Sequence, residues 1–171
     1  MNSTMIKSTL LVLCIALAAL AAPHAAADYK TSTGTACMPY GGSTSWDDLL
    51  YLAGGVSTRG DADKYVLCGF STDADNGWYS ASTNADLQLY FKAGSADAAV
   101  ACTATAGSSF MYGVMTYGKS LSLPATLGGT MSINGIQAPM YSATPLTVTC
   151  RLPGKATLAR LALNERAATD G

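Results

Sequence analysis

The chain has 171 residues, with 10 Lys+Arg against 11 Asp+Glu and a formal net charge of −1. So even a balance excludes the basic footprint that nucleic acid demands. The single histidine, His24, falls inside the leader described next, so the mature chain has no His triad, His metal site or imidazole proton shuttle.

Residues 1–27 read as an export signal. Lys7 supplies the positive start and Leu10–Ala22 an apolar run. That run is about a dozen residues long, the length of a signal core and short of the ~20 residues a membrane span needs. Pro23 breaks the helix, and Ala25-Ala26-Ala27 offers a cleavage site before Asp28. Cys14 follows Leu13, where a lipid-attachment cysteine requires a small residue, so it leaves with the signal. No later segment is apolar enough to span a bilayer. The product is about 144 residues with a charge of about −2, once Lys7 is removed. It is expected to be one domain, secreted or periplasmic, with no stable membrane anchor.

Asp28–Gly34 is polar and reads as a loose end. Ser45-Trp46-Asp47-Asp48 has the pattern of a capping box and predicts one helical turn. Beyond it, apolar and polar residues alternate with period two, bounded by Gly, Ser, Asn and Pro, which predicts strands. These fall at Leu50–Val56, Tyr65–Phe70, Leu87–Lys92, Ala98–Thr105, Phe110–Tyr117, Thr130–Ile133, Leu146–Leu152 and Leu158–Leu163. Leu158–Ala168 is also rich in helix formers, which leaves a terminal helix as the alternative there. Turns are expected at Arg59-Gly60-Asp61, Asn76-Gly77, Ala93-Gly94-Ser95, Gly128-Gly129 and Asn134-Gly135. The tail from about 166 is expected to be disordered.

Four cysteines remain after export: Cys37, Cys68, Cys102 and Cys150. An even count in an exported chain reads as two disulfides, for which three connectivities exist. Cys37–Cys68 with Cys102–Cys150 is the pairing expected, since each closes a nearby segment and places a bridge in each half. The strand registers turn Cys68, Cys102 and Cys150 inward. A four-thiolate zinc site would need close pairs such as C-x-x-C, and none is present.

Among candidate chemistries, Asp73-Ala74-Asp75-Asn76-Gly77 resembles part of a calcium loop. Its glycine arrives one position early and Asn84 stands where an EF-hand has Glu, so Asp73 and Asp75 are a weak calcium candidate. Ten aspartates and one glutamate, Glu165, supply the acids, but neither Asp47-Asp48 nor the aspartates Asp61, Asp63, Asp73 and Asp75 read as lying in an apolar cleft. Without such a setting no carboxyl is tuned for acid–base work, so no catalytic residue is assigned. Trp46, Trp78 and Tyr79 fall in loop-like stretches beside Asp and Asn, a composition suited to stacking on sugar rings; the competing reading is that the indoles cover the edges of the core.

The order of several short motifs is similar to a group of small secreted bacterial β-sandwich proteins with no assigned reaction. The elements are Cys37-Met38-Pro39, Gly55-Val56, Tyr65-Val66-Leu67-Cys68, Val100-Ala101-Cys102, the closing C-x-L-P segment Cys150-Arg151-Leu152-Pro153, and Leu161–Glu165. Gly55-Val56-Ser57-Thr58 departs from the group in lacking an Asn after that strand. The resemblance implies a fold and a compartment and carries over no catalytic residue.

The sequence thus predicts an all-β, antiparallel sandwich of about seven to nine strands. The leading functional expectation is a secreted, non-enzymatic structural or interaction protein of the cell envelope or extracellular space, acting through exposed strand edges and needing no cofactor. The alternative is a carbohydrate-binding module using Trp46, Trp78 and Tyr79. The partner is accordingly a protein or a glycan.

Overall fold

The computed structural model describes residues 28–72, 78, 84–94, 96–108, 113–138 and 145–166. The leader with Cys14, the calcium candidates Asp73 and Asp75, Tyr79 and the tail beyond 166 lie outside the described residues. Among those described, no helix is long and apolar enough to cross a membrane.

Eleven strands are described: β1 Asp28–Thr33, β2 Met38–Pro39, β3 Leu49–Leu52, β4 Gly55–Thr58, β5 Lys64–Phe70, β6 Ala85–Lys92, β7 Ala98–Ser108, β8 Gly113–Leu123, β9 Gly129–Ile136, β10 Leu146–Leu152 and β11 Thr157–Glu165. All pairings are antiparallel. One sheet has five strands in the order β2-β5-β10-β7-β8. The other has six, in the order β3-β4-β11-β6-β9, with β1 also on β11. β4 and β1 share one side of β11, pairing with Leu158 and Thr157 at its start and with 160–165 further along. The inner faces enclose one core, built from period-two positions such as Val66 and Cys68, Leu87, Leu89 and Phe91, Val100 and Cys102, and Leu146, Val148, Cys150 and Leu152. Alternation of this kind is what a half-buried strand requires.

Two disulfides join Cys37 to Cys68 and Cys102 to Cys150, the pairing expected. Cys102 and Cys150 face one another on neighbouring strands β7 and β10. All four sulfurs belong to the core, at 0–2% residue exposure.

Several local expectations change. The single strand over Leu50–Val56 is a hairpin, β3 and β4, reversed at Ala53-Gly54. The reversal needs Gly55, whose φ is +131° and whose absent Cβ would collide with the carbonyl of Leu158. Asp28–Gly34 is not loose. It is strand β1 running into one short 3-10 turn, because the edge of β11 offers Asp28–Thr33 a full ladder of partners. Asn134-Gly135 is not a turn between strands but a bulge inside β9. Gly135 takes φ +67°, the partner register slips between Ala85 and Leu87, and the extra residue is accommodated there. The chain end is strand, not helix, through Glu165. Pairing with β6, β4 and β1 outweighs the helix propensity of its leucines and alanines. β8 begins within the expected Phe110–Tyr117 strand and continues six residues past it. Trp46–Asp48 does form one 3-10 turn, in which Ser45 N–H and Oγ–H donate to Asp48 Oδ2 at 2.7 and 3.0 Å.

Candidate functional site

The two tryptophans singled out in the sequence do not share a surface. Trp46 is exposed, at 64%, and its ring lies against Tyr51 with centroids 5.6 Å apart. Tyr51 is tied down in turn, its hydroxyl donating to the Cys37 carbonyl at 3.1 Å. Trp78 is 1% exposed and packs in the core, as the competing reading of the indoles has it, so this side chain offers no face to a ligand. The physical reason is size. An indole that reaches the space between the sheets buries more apolar area than any other side chain, whatever the polarity of its neighbours in sequence.

Three of the described aspartates, Asp48, Asp61 and Asp63, pair with cations. Asp48 is held down to about 2, first by the Ser45 N–H, then by Lys64 and the Ser45 hydroxyl. It is a fixed anion 2.9 Å from Lys64 Nζ, the opposite of a proton donor. Asp61 pairs with Lys155 at 2.9 Å and Asp63 with Arg151 at 3.6 Å. Among the described residues no three His, Cys, Asp or Glu side chains gather as a metal site.

A different group comes together on the outer face of the five-stranded sheet. Period two sends Tyr65 and Leu67 of β5, Thr147, Thr149 and Arg151 of β10, and Ala101, Thr103 and Thr105 of β7 to that face. The registers then align them across strands. Tyr65 stands beside Arg151 and Arg151 beside Ala101, while Leu67, Thr149 and Thr103 form the next row. At the end of β2, Tyr40 N–H donates to the Tyr65 carbonyl at 3.0 Å, which seats Tyr40 opposite Tyr65. Tyr40, Tyr65, Ala101, Thr103, Thr149 and Arg151 line a shallow depression of about 450 Å³. The tyrosines are 47% and 40% exposed. The sequence held one signal for this group: Tyr65 and Arg151 both occupy outward positions of strands whose other faces are apolar. It held no signal that β5 and β10 are neighbours.

Chemically, two half-exposed phenol rings provide apolar area with hydroxyl edges. Thr103, Thr149 and the Arg151 guanidinium add donors and acceptors beside them. Asp63 lies 3.6 Å from the guanidinium and balances its charge.

No protein-family model matches the chain, and no curated protein matches it. Solved structures similar to it include the C-terminal CBM6 of LamC, a marine laminarinase from Zobellia galactanivorans, at 11% identity and TM-score 0.46 over 80% of this chain and 99% of that one. The Podospora anserina GH26-CBM35 β-(1,4)-mannanase matches at 15% identity and TM-score 0.42 over 82% of this chain, which spans 28% of that longer protein. A family 11 carbohydrate-binding module from Clostridium thermocellum, in complex with a β-1,3-1,4-mixed-linked tetrasaccharide, matches at 12% identity and TM-score 0.37 over 80% of this chain and 85% of that module.

Proposed function

We propose that the chain is an exported, non-catalytic glycan-binding module, and that its ligand lies on the outer face of the five-stranded sheet. The row Tyr40–Tyr65–Arg151 carries this reading. Two half-exposed tyrosines stand on neighbouring strands, with a guanidinium on the next strand and two threonine hydroxyls beside them. The half-exposed tyrosines leave ring area with hydroxyl edges available to a flat, hydroxyl-rich chain. Export is supported by the leader in the sequence and by two buried disulfides, which persist in oxidising compartments.

Strand addition at the β8–β9 end of the sandwich is less well supported. β8, the long edge of the five-stranded sheet, lies beside β9. Lys119 Nζ donates to the Ser132 carbonyl at 2.6 Å, and the Tyr117 hydroxyl accepts from Gln137 N–H at 2.9 Å. Side chains thus bridge the two edges where an added strand would dock.

The test is titration of the mature protein against a panel of soluble oligosaccharides by calorimetry. Binding to at least one neutral oligosaccharide that falls about tenfold or more in Tyr65→Ala or Tyr40→Ala supports the reading. Affinity unchanged in both variants would remove this face as the site.

A further inference from the structure

We propose that the outer face of the six-stranded sheet carries a second ligand site, for one or two uncharged sugar units, so that the domain bridges two glycan chains. This rests on the glycan reading above and extends it to a separate surface. The site is a groove of about 330 Å³ lined by Tyr29, Asp86, Gln88, Ser132, Asn134, Ala162, Asn164 and Arg166.

The registers build it. Tyr29 of β1 stands opposite Asn164 of β11, Asn164 opposite Asp86 of β6, and Gln88 opposite both Ala162 of β11 and Ser132 of β9. The bulge in β9 completes one end: Gly135 N–H donates to Asp86 Oδ1 at 2.9 Å, and Arg166 pairs with Asp86 Oδ2. Both oxygens of Asp86 are therefore engaged, and the groove carries one fixed ion pair of zero net charge. That balance selects against phosphate or carboxylate and leaves hydroxyl groups as the complementary ligand.

One side of each amide is held by a neighbouring tyrosine. Tyr90 O–H donates to Gln88 Oε1 at 2.7 Å, occupying the carbonyl side of that amide. Asn164 Nδ2 donates to Tyr29 Oη at 3.3 Å. Asn164 Oδ1 is buried with no hydrogen-bond partner among the described residues, an acceptor left for a ligand hydroxyl if the amide turns away from Tyr29. Tyr29, 64% exposed, stands at the rim as an aromatic wall. The two candidate sites lie on opposite outer faces of a sandwich, pointing away from one another, so both can be filled at once.

The experiment is amide chemical-shift mapping by NMR together with calorimetric stoichiometry, using cellotetraose and mannotetraose as neutral probes and tetragalacturonate as the charged control. Expected are two sites per protein for a neutral probe, with shifts at 86–88, 134–135 and 162–164 as well as on the Tyr65 face. Asn164→Ala and Gln88→Ala each weaken the second site about tenfold and leave the Tyr65 face within about twofold, while Tyr65→Ala does the reverse. Tyr29→Ala, at an exposed edge position, repeats the test without touching the sheet centre. One site per protein, with shifts confined to the Tyr65 face, overturns the second site and leaves the first. Equal affinity for tetragalacturonate in the groove overturns the neutral-ligand assignment. No shift anywhere with any probe overturns both sites.

Discussion

The ammonium of Lys30, on the first strand, lies 3.0 Å from the carboxylate of Glu165, the last residue of the final strand. Glu165 is fully buried and Lys30 is 22% exposed at its side chain. The only glutamate of the chain thus sits at an inward position of β11, where hydrophobic residues would ordinarily lie. It is held there by a cation from the strand that begins immediately after the expected signal cleavage point. Removing Lys30 takes one cationic partner from a buried carboxylate. Lys30→Met is expected to cost about 2–4 kcal/mol, the lower end reflecting the partial exposure of the lysine. Urea denaturation of the two proteins side by side measures it. A loss under about 0.5 kcal/mol would mean that Lys30 adds no net stability to the buried carboxylate.

The disulfides make a second prediction. Cys102–Cys150 closes a sequence separation of 48 residues and Cys37–Cys68 one of 31. On the chain-entropy account each contributes about 4 kcal/mol through the unfolded state. Cys102→Ser/Cys150→Ser is expected to lower stability by about that amount, and peptide mapping of the oxidised protein should recover these two linkages alone. Recovery of a Cys37–Cys102 peptide as the major species would contradict the pairing.

Asp48 sets a pH dependence. Its carboxyl is held at about 2 in the fold, against an ordinary value of 3.8. A depressed native value means that the unfolded state binds the proton more readily, so this contribution to stability is complete above about pH 4–5 and disappears as pH falls toward 2. Asp48→Asn should therefore be less stable than the parent at pH 7, with the two thermal midpoints converging between about pH 4 and pH 2. Parallel curves down to pH 2 would show that Asp48 is not the group involved.

Gly55 provides a backbone test. Its φ of +131° lies where side chains are disfavoured, and a Cβ would meet the Leu158 carbonyl and the Ala159 Cα of the neighbouring strand. Gly55→Ala is expected to destabilise by more than about 2 kcal/mol. Gly41, whose φ of +78° leaves open space around a Cβ, is the control. Gly41→Ala carries only the conformational cost, about 1 kcal/mol. Equal losses at the two positions, read from thermal melts, would show that contact with β11 is unimportant at Gly55.

Much of the architecture follows from local pattern. Alternation in Leu146–Leu152 and Leu87–Phe91 needs nothing beyond the pleat to announce a two-faced strand, and the cysteines on those faces follow it inward. The capping box at Ser45–Asp48 was legible for the same reason, since its partners are three residues apart. Strand β1 was not: Asp28–Thr33 has no apolar stripe, and its structure comes from the ladder that β11 offers. Trp78 likewise takes its place from the space between two sheets, which no window of neighbouring residues encodes. Both candidate ligand faces depend on distant segments. Tyr65 and Arg151 are brought side by side by the β5–β10 register, and Tyr29, Asn164 and Asp86 by two registers at once. Local sequence determined which residues alternate and which cysteines turn inward, because those depend on chain geometry over a few residues. The pairing of the cysteines comes instead from segments brought together over 31 and 48 residues. Only the tertiary structure decided which outward side chains become neighbours, because strand order is set by burying the inner faces and the outer faces inherit whatever that packing brings together.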